Sequence, residues 1–369
     1  MGGNSGSGAL RDGIEQGGWE SHRPKLVYPF EHGPKPGEAV DIAPGVKWMR
    51  MPLGGALAFI NVWAIREEMP GGAWGWAIVD TGLGGLESRN AWRAALKGPL
   101  EGKPVTRVFV THMHPDHIGM AGYLTRKFDA RLWITRLEFV TCRSLAADTG
   151  REAPADALAF FKAAGWDEDA LENYRAKFGG FGRGLYALPD SFRRLNDGDE
   201  VTIGDHMWRV VVGSGHSPEH ASLYCPDLKL MISGDQVLPK ISSNVSVFPT
   251  EPDGDPLTDW ITSLTRIKTK VPDDVLVLPA HNDPFHGLHA RIDHLVGGHE
   301  RGLVRLRDLL AEPRRVVDVF HVLFRRKIDE NLLGLATGES LAHLNCLIAR
   351  GHAVRERDQN GVDWYRAAA

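Results

Sequence analysis

The segment Val108-Phe109-Val110-Thr111-His112-Met113-His114-Pro115-Asp116-His117 constrains this chain more than any other stretch. An apolar run rich in β-branched residues, Val105 to Val110, predicts a buried strand. Directly after it come three imidazoles and a carboxylate: His112, His114, Asp116 and His117. His112 and His114 are two residues apart, so on extended backbone they point to the same side and can grip one metal ion. Asp116 and His117 follow where the chain turns toward the next helix, and they can face a second ion. Imidazole with carboxylate suits zinc, iron or manganese, and no thiolate is required.

Two ions need more ligands than one packet supplies, and further metal-compatible side chains recur after later apolar runs. His216 closes Gly213-Ser214-Gly215-His216, Asp235 closes Ile232-Ser233-Gly234-Asp235, and His281 closes Val277-Leu278-Pro279-Ala280-His281. The ends of buried strands are where the loops of an α/β scaffold gather. Strand-like runs come in two batches, Ala56 to Val110 and Glu200 to Ile232, with Val275 to Leu278 as a late addition. Helical patterns flank them at Leu86 to Leu96, Ile118 to Phe128 and Pro256 to Lys270. Two sheets packed face to face with helices outside are therefore expected. Residues 136–195 predict a mostly helical insert, with Ala155 to Ala164 and Asp167 to Lys177 as its clearest helices. The Gly82-Leu83-Gly84-Gly85 cluster lacks the spacing of a dinucleotide fingerprint and predicts a tight turn.

From about residue 301 the chain turns basic, with Arg301, Arg305, Arg307, Arg314, Arg315, Arg325, Arg326 and Lys327. Glu339 to Arg350 predicts an amphipathic helix through Leu341, Leu344, Leu347 and Ile348. A turn at Asp358 to Gly361 then predicts a hairpin, and helix followed by hairpin outlines a winged-helix-like unit. The expected division is a flexible tail at 1–22, a catalytic domain at 23–300 and a small C-terminal domain at 301–369.

Net charge is −4, from 43 basic and 47 acidic residues, so no global field draws in nucleic acid. Cys142, Cys225 and Cys346 lie far apart and form neither a disulfide framework nor a thiolate site. No run is long enough for a membrane span, and the N-terminus lacks the basic start and apolar block of a secretory signal. A cytoplasmic location without membrane contact is the expectation.

Taken together, these motifs resemble the metallo-β-lactamase-fold hydrolase superfamily, in particular its glyoxalase II-like and ribonuclease-like members with two metals. The resemblance covers about residues 40–300, and the C-terminal unit is similar to the winged-helix appendage of the beta-lactamase-like protein 2 branch. It implies an αββα sandwich with a helical insert and a small C-terminal winged-helix-like domain. It implies that His112, His114 and His216 bind one ion, that Asp116, His117 and His281 bind another, and that Asp235 bridges them. Asp80, in Val79-Asp80-Thr81-Gly82, would hold the histidine loop from outside the ligand set. The cofactor expected is a pair of divalent ions, zinc first, with iron or manganese as alternatives. Lactamases of the cysteine type carry a thiol where this chain has Asp235, so antibiotic hydrolysis is not expected.

The implied reaction is hydrolysis by a metal-bridging hydroxide, with Asp116 and Asp235 as catalytic residues. A small ester, thioester or lactone is the first substrate expectation, with Asn61, Lys240 and Asn244 as substrate contacts. A metal-dependent ribonuclease or other phosphodiesterase is the alternative, favoured by the basic C-terminal residues and disfavoured by net charge and the lack of an aromatic-basic RNA motif. The expected partner is a small molecule rather than nucleic acid, and the C-terminal unit is expected to buttress the active site or a homodimer interface.

Overall fold

Period-two alternation along the strands sorts the apolar side chains into one inner and two outer layers. The computed structural model describes residues 24–55 and 57–368, and the tail expected over 1–22 lies outside them. A seven-stranded sheet runs in sequence order: β1 (Ala39–Ala43), β2 (Val46–Pro52), β3 (Phe59–Glu68), β4 (Trp74–Val79), β5 (Val105–Phe109), β6 (Arg131–Ile134) and β7 (Arg193–Arg194). Its first four strands are antiparallel, and β4 through β7 are parallel. The second sheet contains β8 (Glu200–Ile203), β9 (His206–Gly213), β10 (His220–Cys225), β11 (Leu230–Gly234) and β12 (Leu276–Pro279). All its pairs are antiparallel except β11 with β12.

On β3, Trp63 and Ile65 face inward, while Ile60, Val62 and Ala64 face out. On β11, Leu230 and Ile232 face inward and Met231 faces out. The inner layer thus joins Trp48, Trp63 and Phe109 of the first sheet to Trp208, Leu223 and Leu278 of the second. Outside the first sheet pack α1 (Leu86–Lys97), the single turn α2 (Pro115–Ile118), α3 (Ala121–Phe128) and α4 (Arg136–Ala147). The segment between β6 and β7 also carries α5 (Ala155–Ala163) and α6 (Glu168–Lys177). Outside the second sheet pack α7 (Pro256–Lys270) and α8 (Leu288–Leu309). Asp255 caps α7 by accepting from Thr258 N at 3.1 Å, with Pro256 in the first turn. The result is an αββα sandwich.

Three features differ from expectation. The helix expected over Ile118 to Phe128 is two helices, because Gly119 and Met120 break the run between α2 and α3. The division expected at 300/301 falls inside α8, a continuous helix from Leu288 to Leu309. Beyond it come α9 (Phe320–Leu323), α10 (Leu333–Ala349) and the hairpin of β13 (Ala353–Arg357) and β14 (Asp363–Ala367). The helix expected to be amphipathic is instead buried all round, with every residue from Ala336 to Leu347 inside. Leu341 and Leu344 of α10 and Tyr365 of β14 share one core with Trp260 of α7 and Leu295 of α8. Among the described residues, no helix is long and apolar enough to cross a membrane.

Candidate metal centre

The C-terminal ends of five strands deliver the chemistry to one edge of the sandwich. Asp80 follows β4, the histidine packet follows β5, His216 follows β9, Asp235 follows β11 and His281 follows β12. Because β9, β11 and β12 share one direction, their loops open on the same side.

Nε2 of His112, Nδ1 of His114 and Nε2 of His216 form a triangle with edges of 2.8, 3.1 and 3.2 Å. A tetrahedral ion with bonds of about 2.0–2.1 Å spaces its nitrogens about 3.3 Å apart, so the triangle fits one. Across from it, Asp116 Oδ2 lies 3.3 Å from His281 Nε2 and 3.8 Å from His117 Nε2. Asp235 sits between the two groups. Its Oδ1 is 3.5 Å from both His117 Nε2 and His281 Nε2, and its Oδ2 is 3.4 Å from His216 Nε2. Three ligand sets converge closely enough for an ion: His112 with His114 and His216, His112 with His117 and Asp235, and Asp116 with His117 and His281.

The outer nitrogens decide what the inner ones can do. His216 Nδ1 donates to Asn244 O at 2.7 Å, and His281 Nδ1 donates to Phe59 O at 3.3 Å. His117 Nδ1 donates to Asp80 Oδ2 at 2.8 Å. Thr111 Oγ1 donates to Asp80 Oδ2 at 2.8 Å and can accept from His112 Nδ1 at 3.1 Å. With their protons committed outward, these four imidazoles turn lone pairs inward, the orientation a metal requires. His117 Nε2 and Asp235 Oδ1 are buried with no hydrogen-bond partner among the described residues, which a bound cation would satisfy. The donor set fits metal ions.

Burial, reinforced by the neighbouring imidazoles, holds His112 well below the ordinary histidine range, and burial with His216 holds His114 down at about 3. Burial also opposes charge on His117 and His281, but the surrounding carboxylates outweigh it. Asp80, Asp235 and Asp116 hold His117 well above its ordinary value, and Asp235 and Asp116 raise His281. Burial would likewise raise Asp235, yet His281 and His117 hold it well below the carboxylate range.

Asp80 takes φ +60 at the end of β4, a conformation uncommon outside glycine, and there its carboxylate also accepts Thr111 N at 2.8 Å. Gly234 has φ +51, and a Cβ there would lie 2.4 Å from His220 Nε2, the atom that accepts the Asp235 N–H at 3.1 Å. His220 thus holds the Asp235 loop.

The expected substrate contacts do not all reach the site. Asn61 is buried and saturated: its Oδ1 accepts from Trp48 Nε1 at 2.8 Å and Arg50 Nε at 3.2 Å. Its Nδ2 donates to Pro279 O at 2.8 Å and Asn282 O at 2.6 Å. It is a strut between the sheets. Lys240 lies outside the cavity, 3.5 Å from Asp283 and over the ring of Tyr28. Asn244 lines the cavity, but its Nδ2 donates to Glu339 Oε2 at 3.0 Å and its Oδ1 accepts from Ser246 Oγ at 2.7 Å.

Sequence reasoning missed Glu138 on α4. Its fully buried carboxylate accepts Met113 N at 2.8 Å, Ser217 Oγ at 2.6 Å and Glu219 N at 2.8 Å. It therefore ties the histidine packet to the His216 loop. Burial raises its pKa, against the pull of these three donors. Glu339 was missed for the same reason: each is a lone carboxylate on a helix, and only tertiary packing brings it to the ligand loops.

The ligands open onto a cavity of about 130 Å³. Residues 56–281 match the model of the metallo-beta-lactamase superfamily, and residues 303–368 match that of the metallo-beta-lactamase-like C-terminal domain. A beta-lactamase domain protein from Burkholderia ambifaria is 40% identical with a TM-score of 0.85, over 93% of this chain and 98% of its own. A metallo-beta-lactamase family protein from Thermus thermophilus is 25% identical with a TM-score of 0.71, over 89% of this chain and 100% of its own. A protein from Aquifex aeolicus is 24% identical over 179 residues, 48% of this chain and 69% of its own. The chain belongs to the metallo-beta-lactamase superfamily. It is a metal-dependent hydrolase whose His/Asp cluster can hold metal ions.

Proposed function

We propose that this chain is a dinuclear hydrolase of small acyl compounds, an ester, thioester or lactone. The observation that carries the reading is Asp235, whose two oxygens face opposite halves of the ligand set. Zinc is the proposed ion, because the donors are imidazole and carboxylate in a near-tetrahedral triangle. When bound, two divalent ions would supply an acidified water as nucleophile and Lewis acidity at the acyl oxygen. His112, His114 and His216 would hold one ion, Asp116, His117 and His281 the other, and Asp235 both. Asp116, lining the cavity, would orient the attacking water, while Asp80 and Glu138 keep the ligand loops in register. Hydrolysis breaks the acyl C–S or C–O bond and forms a C–O bond to the water oxygen. One water proton goes to the leaving thiolate or alkoxide and the other to solvent.

A phosphodiester is the weaker reading. Among the described residues, no lysine or arginine lines the cavity, so beyond the metal ligands no cationic side chain there would pair with a backbone phosphate. The C-terminal unit, winged-helix-like in outline, is proposed to buttress the site or a homodimer interface rather than to read nucleic acid. Its Glu339 engages Asn244, whose carbonyl holds His216. The test is a panel of thioester, lactone and phosphodiester substrates, with Asp235→Ala as control. Metal-dependent acyl cleavage lost in the variant supports the reading, and phosphodiester cleavage without acyl cleavage overturns it.

A further inference from the structure

The cavity wall facing the metal ligands is built from apolar side chains of four separate parts of the chain, one of them Leu57 between β2 and β3. Leu145 at the end of α4 and Phe181 in the turn after α6 come from the insert. Leu238, Ile241 and Phe248 come from the segment after Asp235, and Leu335 comes from α10. Phe248 keeps 49% of its surface exposed, unusual for a ring that lines a cavity beside charged ligands.

The polar groups on the same wall are already engaged. Ser243 Oγ donates to the Asp235 carbonyl, Ser242 Oγ lies 3.3 Å from His299 Nε2, and the Asn244 amide is held by Glu339 and Ser246. Away from the metal ligands, the wall therefore offers a substrate apolar contact and no charged partner. A hydroxylated or charged acyl group would lose hydration there without replacing it. The larger cavity, about 650 Å³ between α5 and the hairpin, does not reach the ligands. Its Arg355 and Arg357 are paired with Asp253 and Asp363.

We infer that the site selects substrates with an uncharged apolar acyl group, which lies against Phe181, Phe248 and Leu335 while its carbonyl carbon faces the metal ligands. The insert and α10 are then the elements that set specificity. This inference rests on the acyl-hydrolase reading.

The test is the chain-length profile of the metal-loaded wild-type protein on thioesters of one common thiol, from acetyl to hexanoyl. A buried methylene is worth on the order of fourfold in kcat/KM, so the profile should climb by about that factor per carbon until the cavity is filled. Phe181→Ala and Leu335→Ala should each flatten the slope. Calorimetric binding of acetate, butanoate and hexanoate supplies a readout independent of turnover, with affinity expected to climb in parallel. Thioester cleavage with a flat profile, or with preference for lactoyl or succinyl groups, overturns this inference and leaves the acyl-hydrolase reading standing. Phosphodiester cleavage with no acyl cleavage overturns both. Should either variant fail to fold, the wild-type slope alone decides.

Discussion

At the scale of single residues, the site depends on groups that never touch a metal. Glu138 is the clearest, since one buried carboxylate holds backbone donors from two ligand loops. Glu138→Ala would leave the buried N–H of Met113 without that acceptor, at about 1–3 kcal/mol, and the part-buried N–H of Glu219 at less. The variant should unfold at lower denaturant and, because both loops loosen, bind metal about 10–100-fold more weakly in chelator competition. Unchanged metal affinity would show that the clamp serves only the fold. The candidate ligands could be picked out in the sequence because they cluster just beyond apolar runs. Glu138 was not, since nothing in Leu137-Glu138-Phe139 distinguishes it from a solvated helical carboxylate. Asn61 failed in the opposite sense: it was expected to contact substrate, and its whole amide is instead engaged in crossing between the sheets.

At the scale of elements, α10 shows why helical spacing alone misled. Leu341, Leu344 and Leu347 do face a core, but the opposite side is covered as well. Several of its polar residues are ties rather than a solvated face: Thr337 Oγ1 accepts from Trp166 Nε1 at 2.9 Å in the insert, and His343 Nε2 meets His299 Nδ1 of α8 at 3.1 Å. Asn345 Nδ2 donates to Gly254 O at 2.9 Å. The end of the helix is pinned to α8 by Arg350, which makes two bonds to Glu300 at 2.7 and 2.8 Å. The Arg350 hydrogen bond, more than the opposing burial, holds Glu300 below the ordinary glutamate range. A carboxylate with a depressed folded pKa stabilises the protein above its unfolded value, and that contribution is lost as pH falls through the folded one. Both side chains are partly solvated, so the tie is worth about 1 kcal/mol or less. Glu300→Gln should therefore lower stability slightly at neutral pH and converge on wild type in acid. A deficit that persists in acid would mean that packing, not charge, is the lost interaction.

At the scale of the whole molecule, the division expected near residue 300 does not correspond to separate cores. The helix α8 passes through it, and Leu341, Leu344 and Tyr365 pack into the same cluster as Trp260 and Leu295. The sandwich itself was legible because each sheet announces itself by alternating runs. The shared core was not, because contacts between α10 and α7 link residues far apart in sequence with no periodicity to betray them. The metal-loaded protein should accordingly unfold in a single cooperative transition. Two separated calorimetric transitions, one lost on removing residues 311–369, would show an independent C-terminal unit instead. Coupling of this kind also fits a site whose wall and ligand loops draw on Leu335 and Glu339 of α10.

The proposed two-ion centre is tested most directly by counting metal. Zinc, iron and manganese should be quantified per chain in purified wild type and Asp235→Ala, alongside thioester turnover. Two ions per wild-type chain, with loss of at least one ion and of turnover in the variant, is the expected result. A single ion per chain held equally well without Asp235 would contradict the bridging role on which the dinuclear mechanism stands.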